Sequence, residues 1–396
     1  MTRGATTTKL LRRLNAGLVL DTLRDAGPLR VTDLVTRTGL SRPTVDAVAD
    51  DLLRLGWLEE SDDEAGGIPR RGRPARLLAF RAGAGHVLGI DIGEAKVRSA
   101  VADLSGEILG EDLRPFDIAA EPSERLAAIR AGAGAALKAG GITRATLMMA
   151  CAGCTGGMDP DTGEVLYSSA LPPGTKLGPA LARSLRAPVV IENDCNLAVI
   201  GERWRGVAAG IDDVICVLAG ERMGAGIVVD GRLVRGHRGA AGEMAFLGAH
   251  AEEHGAEGIA YLTRRLGAEA IRKDGALSRL VGGDPARLQA EHVFTAAAHG
   301  DAVATEVIER VLRRAGHSIV PLAQVLNPEL VVIGGGVAAA GDALVAPLRA
   351  QLQEMAWLPP RLEASSLGAR GPLIGAIRHA LDHLEPRLLE GLEQAA

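Results

Sequence analysis

Aromatic residues are nearly missing: three Trp, two Tyr and four Phe make up 2% of the 396 residues. The cores must therefore be built from Leu, Val, Ile and Ala. Cysteine is also scarce, and the four present do not form a disulfide scaffold. Cys151 and Cys154 make a C-x-x-C, but no second pair follows at zinc-ribbon spacing. They read as small hydrophobes at the end of a buried strand running into a Gly-rich turn. No apolar run reaches the length of about 18 residues that spans a bilayer. The polar, basic N-terminus lacks the apolar core of a signal peptide. These absences lead us to expect a cytoplasmic protein without a membrane segment.

Apolar residues make up 47% of the chain, ample for burial, and the length suggests two or three domains. The net charge of −5 hides an asymmetry. Residues 1–81 hold 14 Lys+Arg against 11 Asp+Glu, and the remainder holds 30 against 38. A mildly basic head on an acidic body fits a small nucleic-acid-binding module joined to a larger domain.

The segment Val31–Leu58 carries the densest signal. Val31, Leu34 and Val35 fall on one face of a short helix. Thr38-Gly39-Leu40 forms a tight turn. Ser41 is a good N-cap, and Pro43 sits in the first turn, where its missing N–H costs nothing. Val45, Val48, Leu52 and Leu55 then recur as an amphipathic stripe, ended by Gly56. This is the pattern of a helix-turn-helix, although an ordinary helical hairpin has the same spacing. In the first reading Ser41, Arg42, Pro43 and Thr44 enter a DNA major groove. Asp46 and Asp50 put carboxylates on the exposed side of that helix, where they weaken phosphate binding. Trp57 to Glu60 and Leu77 to Phe80 can form the two strands of a wing. Between them, Arg71, Gly72 and Arg73 resemble an AT-hook core, whose arginines reach into a narrow minor groove; a flexible basic linker is the alternative.

After Phe80, strands alternate with helices and Gly-rich turns. Strands are expected at His86–Gly93, Val97–Leu104, Thr146–Ala150, Val189–Ile191, Val214–Leu218, Gly226–Val229 and Leu330–Ile333. A helix is expected at Ser123–Ala139. Two strand–hairpin–helix sets, starting near residues 86 and 213, suggest a duplicated α/β body with a ligand cleft between its halves.

Four segments carry a family resemblance. Asp91-Ile92-Gly93 resembles a phosphate-binding hairpin, and Glu192-Asn193-Asp194-Cys195-Asn196 a sugar-binding and catalytic segment. Gly236 to Glu243 resembles a signature loop, and Asn327-Pro328-Glu329 through Gly336 a segment closing over adenosine. Together, behind a winged helix, they resemble the ROK family (repressor, open reading frame, kinase) in its DNA-binding branch. The resemblance implies an α/β fold: an N-terminal winged helix-turn-helix over residues 1–81, then a two-lobed actin-like, sugar-kinase-like body over 82–396. It puts the lobe boundary near 195–213 and returns the C-terminal helix to the first lobe. It implies Asp194 at the position of the base that takes a sugar hydroxyl proton. Asn193 and Glu243 would bind sugar hydroxyls. As plain sequence, Asp194 is a helix N-cap and Glu243 an exposed loop acid; the surrounding motifs favour the site reading for both.

The departures from the family pattern point away from catalysis. Glu94-Ala95 stands where kinases carry Gly-Thr, and Gly220-Glu221-Arg222 where they carry Gly-Thr-Gly. Phosphate pockets need backbone N–H groups and small or hydroxyl side chains, so ATP binding is doubtful. Arg222 could pair with a Glu and seal the pocket. The zinc motif is missing: Phe246 occupies the usual His position, and no cysteine follows. His250 and His254, with Glu253 or Glu257 nearby, are a solvated face rather than a metal site. No cofactor and no metal are expected. We expect a DNA-binding regulator, a repressor, acting on a double-stranded operator as a homodimer or dimer of dimers. A sugar or sugar phosphate is the effector that the resemblance implies. The alternatives are an ATP-dependent, hexokinase-type sugar kinase with an appended DNA-binding head, and a ligand-free architectural regulator.

Overall fold

The computed structural model describes residues 3–61, 76–117, 119–159, 161–244, 257–272 and 275–393. The head begins with α1 (Arg3–Ala26), whose buried face of Val19, Leu20 and Leu23 packs on the next two helices. β1 (Leu29–Arg30) leads into α2 (Val31–Thr38) and α3 (Arg42–Leu55). Gly39 (φ 69°) closes the turn between α2 and α3 in the left-handed region, where glycine meets no Cβ penalty. The Ser41 hydroxyl accepts the Thr44 N–H at 3.4 Å, and Pro43 sits in the first turn of α3. Val45, Val48 and Leu52 are buried. β2 (Leu58–Ser61) and β3 (Leu77–Phe80) pair antiparallel, in the sheet order β1-β3-β2. The head is thus a helix-turn-helix with wing strands. Residues 62–75, with Arg71, Gly72 and Arg73, lie outside the described residues.

The body contains two sheets of the same design. The first lobe holds β4 (His86–Ile92), β5 (Lys96–Asp103), β6 (Ile108–Pro115), α4 (Pro122–Ala139), β7 (Leu147–Cys154), β8 (Gly157–Met158), β9 (Val165–Tyr167), α5 (Leu177–Leu185) and β10 (Val189–Asn193). α6 (Asp194–Arg205) follows. The second lobe holds β11 (Val214–Ala219), β12 (Met223–Val229), β13 (Arg232–Leu233), α7 (Ile259–Ala270), α8 (Ala276–Leu280), α9 (Ala290–Ala298), α10 (Ala302–Leu326), β14 (Leu330–Gly334), α11 (Asp342–Met355) and β15 (Arg361–Ala364). The sheet orders are β6-β5-β4-β7-β10 and β13-β12-β11-β14-β15. In each, two antiparallel hairpin steps are followed by two parallel pairings. That correspondence is the duplication suggested by the sequence.

α12 (Gly371–Leu388) packs on α6, β4 and β7, so the last long helix completes the first lobe. α6 lies between α12 on one side and β11 and β12 on the other, and is the element common to both lobes. This packing depends on glycine: a Cβ at Gly375 would lie 1.8 Å from Leu197 O, and one at Gly226 2.1 Å from Cys195 O. None of the described helices is long and apolar enough to cross a membrane.

Two local expectations are corrected. β7 runs through Cys154 rather than stopping at Ala150, so the C-x-x-C lies inside a strand. Odd spacing sends its two thiols to opposite faces and into different cores; all four cysteines are buried and free. The N-cap of α6 is Asn193, not Asp194.

Candidate functional site

The exposed start of α3 presents Ser41, Arg42 and Pro43, with Thr44 partly covered. The acids behind them are neutralised. Arg42 lies 3.8 Å from Asp46, and Arg76, at the foot of the wing, bonds Asp50 at 2.8 Å and Glu60 at 2.6 Å. Arg76 therefore ties α3 to the wing. Buried Asp51 takes the Arg12 Nε–H at 2.8 Å and also pairs with Arg54, fixing α1 against α3. Arg12 and Arg76 were not foreseen, because each meets its acid only through folding or wing closure; Arg54 pairs with Asp51 three residues before it on α3, a spacing the sequence already offered.

Between the lobes lies a cleft of about 460 Å³, with a pocket of about 330 Å³ joined to it. Asp91 (end of β4), Glu94, Gly220-Glu221-Arg222, Gly335 and Gly336 line the larger space. Thr155, Tyr167, Ser168, Ser169, Asn193 and Glu243 line the smaller. Asp194 faces both. All three sequence-selected residues of the body, Asn193, Asp194 and Glu243, thus border one pocket.

Their roles differ. Asn193 Oδ1 accepts the N–H groups of Cys195 and Asn196 at 2.8 and 3.1 Å, and its Nδ2 donates to Gly156 O at 2.9 Å. Most of its amide is thus committed to shaping the loop. Asp194 projects from the first turn of α6. Burial is the main cause that pushes its carboxyl up to about 6, and Glu243 adds to it. Burial, then the neighbouring Asp194 charge, pushes Asp91 up to about 7. Both shifts favour the protonated carboxyl. Glu243 is exposed, pairs across to Gly224 and accepts the Tyr167 hydroxyl; burial and that carboxylate push the Tyr167 phenol up. The pocket wall carries further hydroxyls: Thr155 Oγ1 lies 3.1 Å from Ser168 Oγ and 3.0 Å from Ser169 Oγ. Sequence reading overlooked this wall. The hydroxyl run Tyr167-Ser168-Ser169, holding one of only two tyrosines in the chain, was the available signal.

Behind the pocket, buried Glu192 organises the loop. Its Oε1 accepts the Asn193 N–H at 3.0 Å and Asn196 Nδ2 at 2.9 Å. Its Oε2 accepts Arg235 Nε at 2.7 Å and lies 3.9 Å from His379 Nε2. Burial first, and then His383, hold His379 down to about 4.

The end of the large cleft that the resemblance assigns to phosphate differs from the sequence expectation in one respect. Glu221 pairs with Arg264 of α7, not with Arg222, through two bonds of 2.7 Å. Gly258 N–H donates to Glu221 O at 2.8 Å, anchoring this loop beside the start of α7, where Arg264 is within reach. No group of three His, Cys, Asp or Glu that could hold a metal ion occurs among the described residues. Phe246, His250, Glu253 and His254 lie outside them, and Glu257 pairs with Arg314 at 2.8 Å.

The ROK family model matches residues 87–383, and a MarR family model matches residues 7–67. The xylose repressor of Caldicellulosiruptor bescii is 24% identical over 383 residues, covering 93% of this chain and 95% of that protein. The glucokinase of Thermotoga maritima is 32% identical over 212 residues, covering 50% of this chain and 66% of the kinase. Among solved structures, a ROK family transcriptional regulator homologous to the E. coli Mlc protein superposes with a TM-score of 0.76 at 21% identity, covering 97% of this chain and 100% of its own. A ROK glucokinase from Streptomyces griseus, in complex with glucose and AMPPNP, superposes with a TM-score of 0.65 at 26% identity, covering 75% and 100%. The kinase likeness stops at the body, whereas the regulator likeness includes the head: this chain belongs to the ROK family, as a DNA-binding regulator with a sugar-kinase-like body.

Proposed function

We propose that this protein represses transcription from a two-fold operator that it binds as a homodimer, and that its body reads a carbohydrate without phosphorylating it. The observation that carries the reading is the Glu221–Arg264 pair in the loop that resembles a phosphate loop, in a chain whose head carries a helix-turn-helix and two wing strands. A carboxylate held there by two charge-assisted bonds stands where a phosphate loop needs a small or hydroxyl side chain and free backbone N–H groups, and so takes the space a triphosphate would need. Glu94 adds a second acid to the same end. The hydroxyl-lined pocket beside Asp194 and Glu243 suits polyhydroxylated ligands. Its loop is wired through Glu192 to Arg235 and toward α12, the helix that meets the head. A ligand that favours one arrangement of the loop would thereby shift the heads relative to each other. The similarity to a xylose repressor puts xylose on the effector panel.

The test is enrichment of host genomic fragments on the purified protein, followed by DNA titration with and without sugars. Enrichment of palindromic sites, released by one sugar, supports the reading; no enrichment with or without sugars overturns it. A second reading is a sugar kinase, favoured by Asp194, whose raised carboxyl stands in the base position. Sugar-dependent ADP release abolished by Asp194→Asn would establish that reading instead.

A further inference from the structure

The C-terminal half of α6 borders a second space, of about 700 Å³, that shares no lining residue with the interlobe cleft or with the hydroxyl-lined pocket. Four parts of the chain meet there. α1 of the head contributes Asp25, α6 contributes Arg203 and Trp204, the segment after β13 contributes Arg235, and α12 contributes Arg378 and Asp382. A volume of this size is in the range of small-molecule sites.

The three guanidiniums are engaged to different degrees. Arg203 donates to Ile211 O at 2.8 Å, Gly231 O at 3.1 Å and Asp212 at 2.8 Å, and so belongs to the wall. Arg378 gives one nitrogen to Asp382 at 2.7 Å. Arg235 gives only its Nε, to Glu192 at 2.7 Å, and its side chain is 39% exposed. The two terminal amino groups of Arg235 bond no described residue. They are the fork that a carboxylate takes through two parallel bonds. Of the acids lining the space, Asp382 is matched by Arg378, and Asp25 is exposed, where water and salt screen it. With a single open fork and Glu192 behind it, a multiply charged anion is poorly matched here. Beside the fork, Ile200, Val228 and Leu233 offer hydrocarbon. The Trp204 ring adds a broad apolar surface, with the Arg205 guanidinium 3.9 Å from its centroid. The occupant that satisfies both parts carries one negative charge on an apolar body.

We infer that this space is a second ligand site, for a monocarboxylate with an aliphatic or aromatic body, its carboxylate on the open fork of Arg235 and its body against Ile200, Leu233 and Trp204. The occupant lies against α1 of the head. Through Arg235 and Glu192 it also reaches the loop of the hydroxyl-lined pocket. It is an input separate from the interlobe cleft, and acts whether or not that cleft holds a carbohydrate.

Calorimetry on the full chain tests this with hexanoate, phenylacetate, the primary amides of both, the dicarboxylate adipate, and inorganic phosphate. One monocarboxylate should bind at least about tenfold tighter than its own amide, and tighter than adipate or phosphate. Arg235→Gln should abolish that advantage, and Arg235→Lys, which keeps a cation against Glu192 without the fork, should restore only part of it. Arg378→Gln is the milder variant: it leaves Asp382 uncompensated beside the site and should weaken the carboxylate several-fold with the amide unchanged. Amide exchange should slow in β13 and the second half of α12 on binding, and stay unchanged in β8 and β9. Equal affinity for carboxylate and amide, a preference for adipate or phosphate, or no binding by any probe overturns the inference. So does an advantage that survives both Arg235→Gln and Arg378→Gln, or protection confined to the interlobe cleft.

Discussion

The indole Nε1–H of Trp57 donates to the backbone carbonyl of Leu388 at 3.2 Å, joining residues 331 positions apart. Trp57 begins the wing, and Leu388 ends α12. Leu389 and Leu392, just beyond, are buried in the core of the head. The end of the body is therefore part of the DNA-binding module. Trp57→Phe keeps the ring and removes the donor, at a cost of about 1 kcal/mol. Amide exchange in α3 and around Leu389 should quicken while β4 stays protected. Uniform exchange changes, or none, would show that head and body are not coupled here.

At the DNA surface, Arg42→Ala should weaken operator binding and lower the slope of log affinity against log salt by about 1, as expected for one lost phosphate contact. Asp50→Asn releases Arg76 from an exposed pair and should strengthen non-specific binding a few-fold at low salt. Titrations at several salt concentrations read both effects; an unchanged slope in Arg42→Ala would remove that residue from the interface.

Glu192 is 6% exposed and holds Arg235, Asn193 and Asn196. Glu192→Ala strands the buried Asn193 and Asn196 donors, while Arg235, 39% exposed, regains water; the cost should be about 2–3 kcal/mol, that of leaving buried donors unpaired. Chemical denaturation measures it. A loss below about 1 kcal/mol would mean that water replaces the carboxylate and that the pair does not brace the loop.

The folded state keeps Asp91 protonated up to about 7, against an ordinary value of 3.8. Over that window the folded chain binds more protons than the unfolded one, so stability falls as pH rises. Asp91→Asn removes the penalty. Its melting temperature should match the parent protein near pH 4 and exceed it by a few degrees near pH 8. A constant difference across pH would assign the effect to packing.

If Glu94 and Glu221 exclude the nucleotide, as proposed, Glu94→Thr with Glu221→Thr should produce measurable ATP binding, at least about tenfold tighter than in the parent chain. Equilibrium dialysis with labelled nucleotide reads it. If neither protein binds ATP, the loop acids are not what excludes it.

Much of the molecule was legible because its signals are local. The Ser41 cap, Pro43, Gly39, Gly56 and the stripe through Leu52 lie within one stretch, and each acts on its own neighbours. Asp194 and Glu243 were found through short motifs around each of them. The roles inside those motifs were less visible. Asn193 and Asp194 are adjacent, and only the backbone path decides that Asn193 caps α6 while Asp194 faces the cleft. Pairing was least legible. Arg264 and Arg222 are equivalent partners for Glu221 on paper, but the turn carries Arg222 to the boundary between pockets and α7 brings Arg264 back.

By itself the sequence determined the helix-turn-helix, the strand and helix periods of a duplicated body, the scarcity of aromatics in its cores and the intrusion of two acids into the phosphate loops. The helix-turn-helix and the periods follow from propensity, capping and periodicity, which act over a few residues; the two acids stand out only against the pattern of the family that the chain resembles. Only the tertiary structure decided that Glu221 pairs with Arg264 rather than with Arg222, that Glu192 gathers Arg235 and His379 behind the pocket, and that Leu388 meets Trp57. Those relationships join positions tens to hundreds of residues apart. They are set by where packed elements converge in space, which no local pattern encodes.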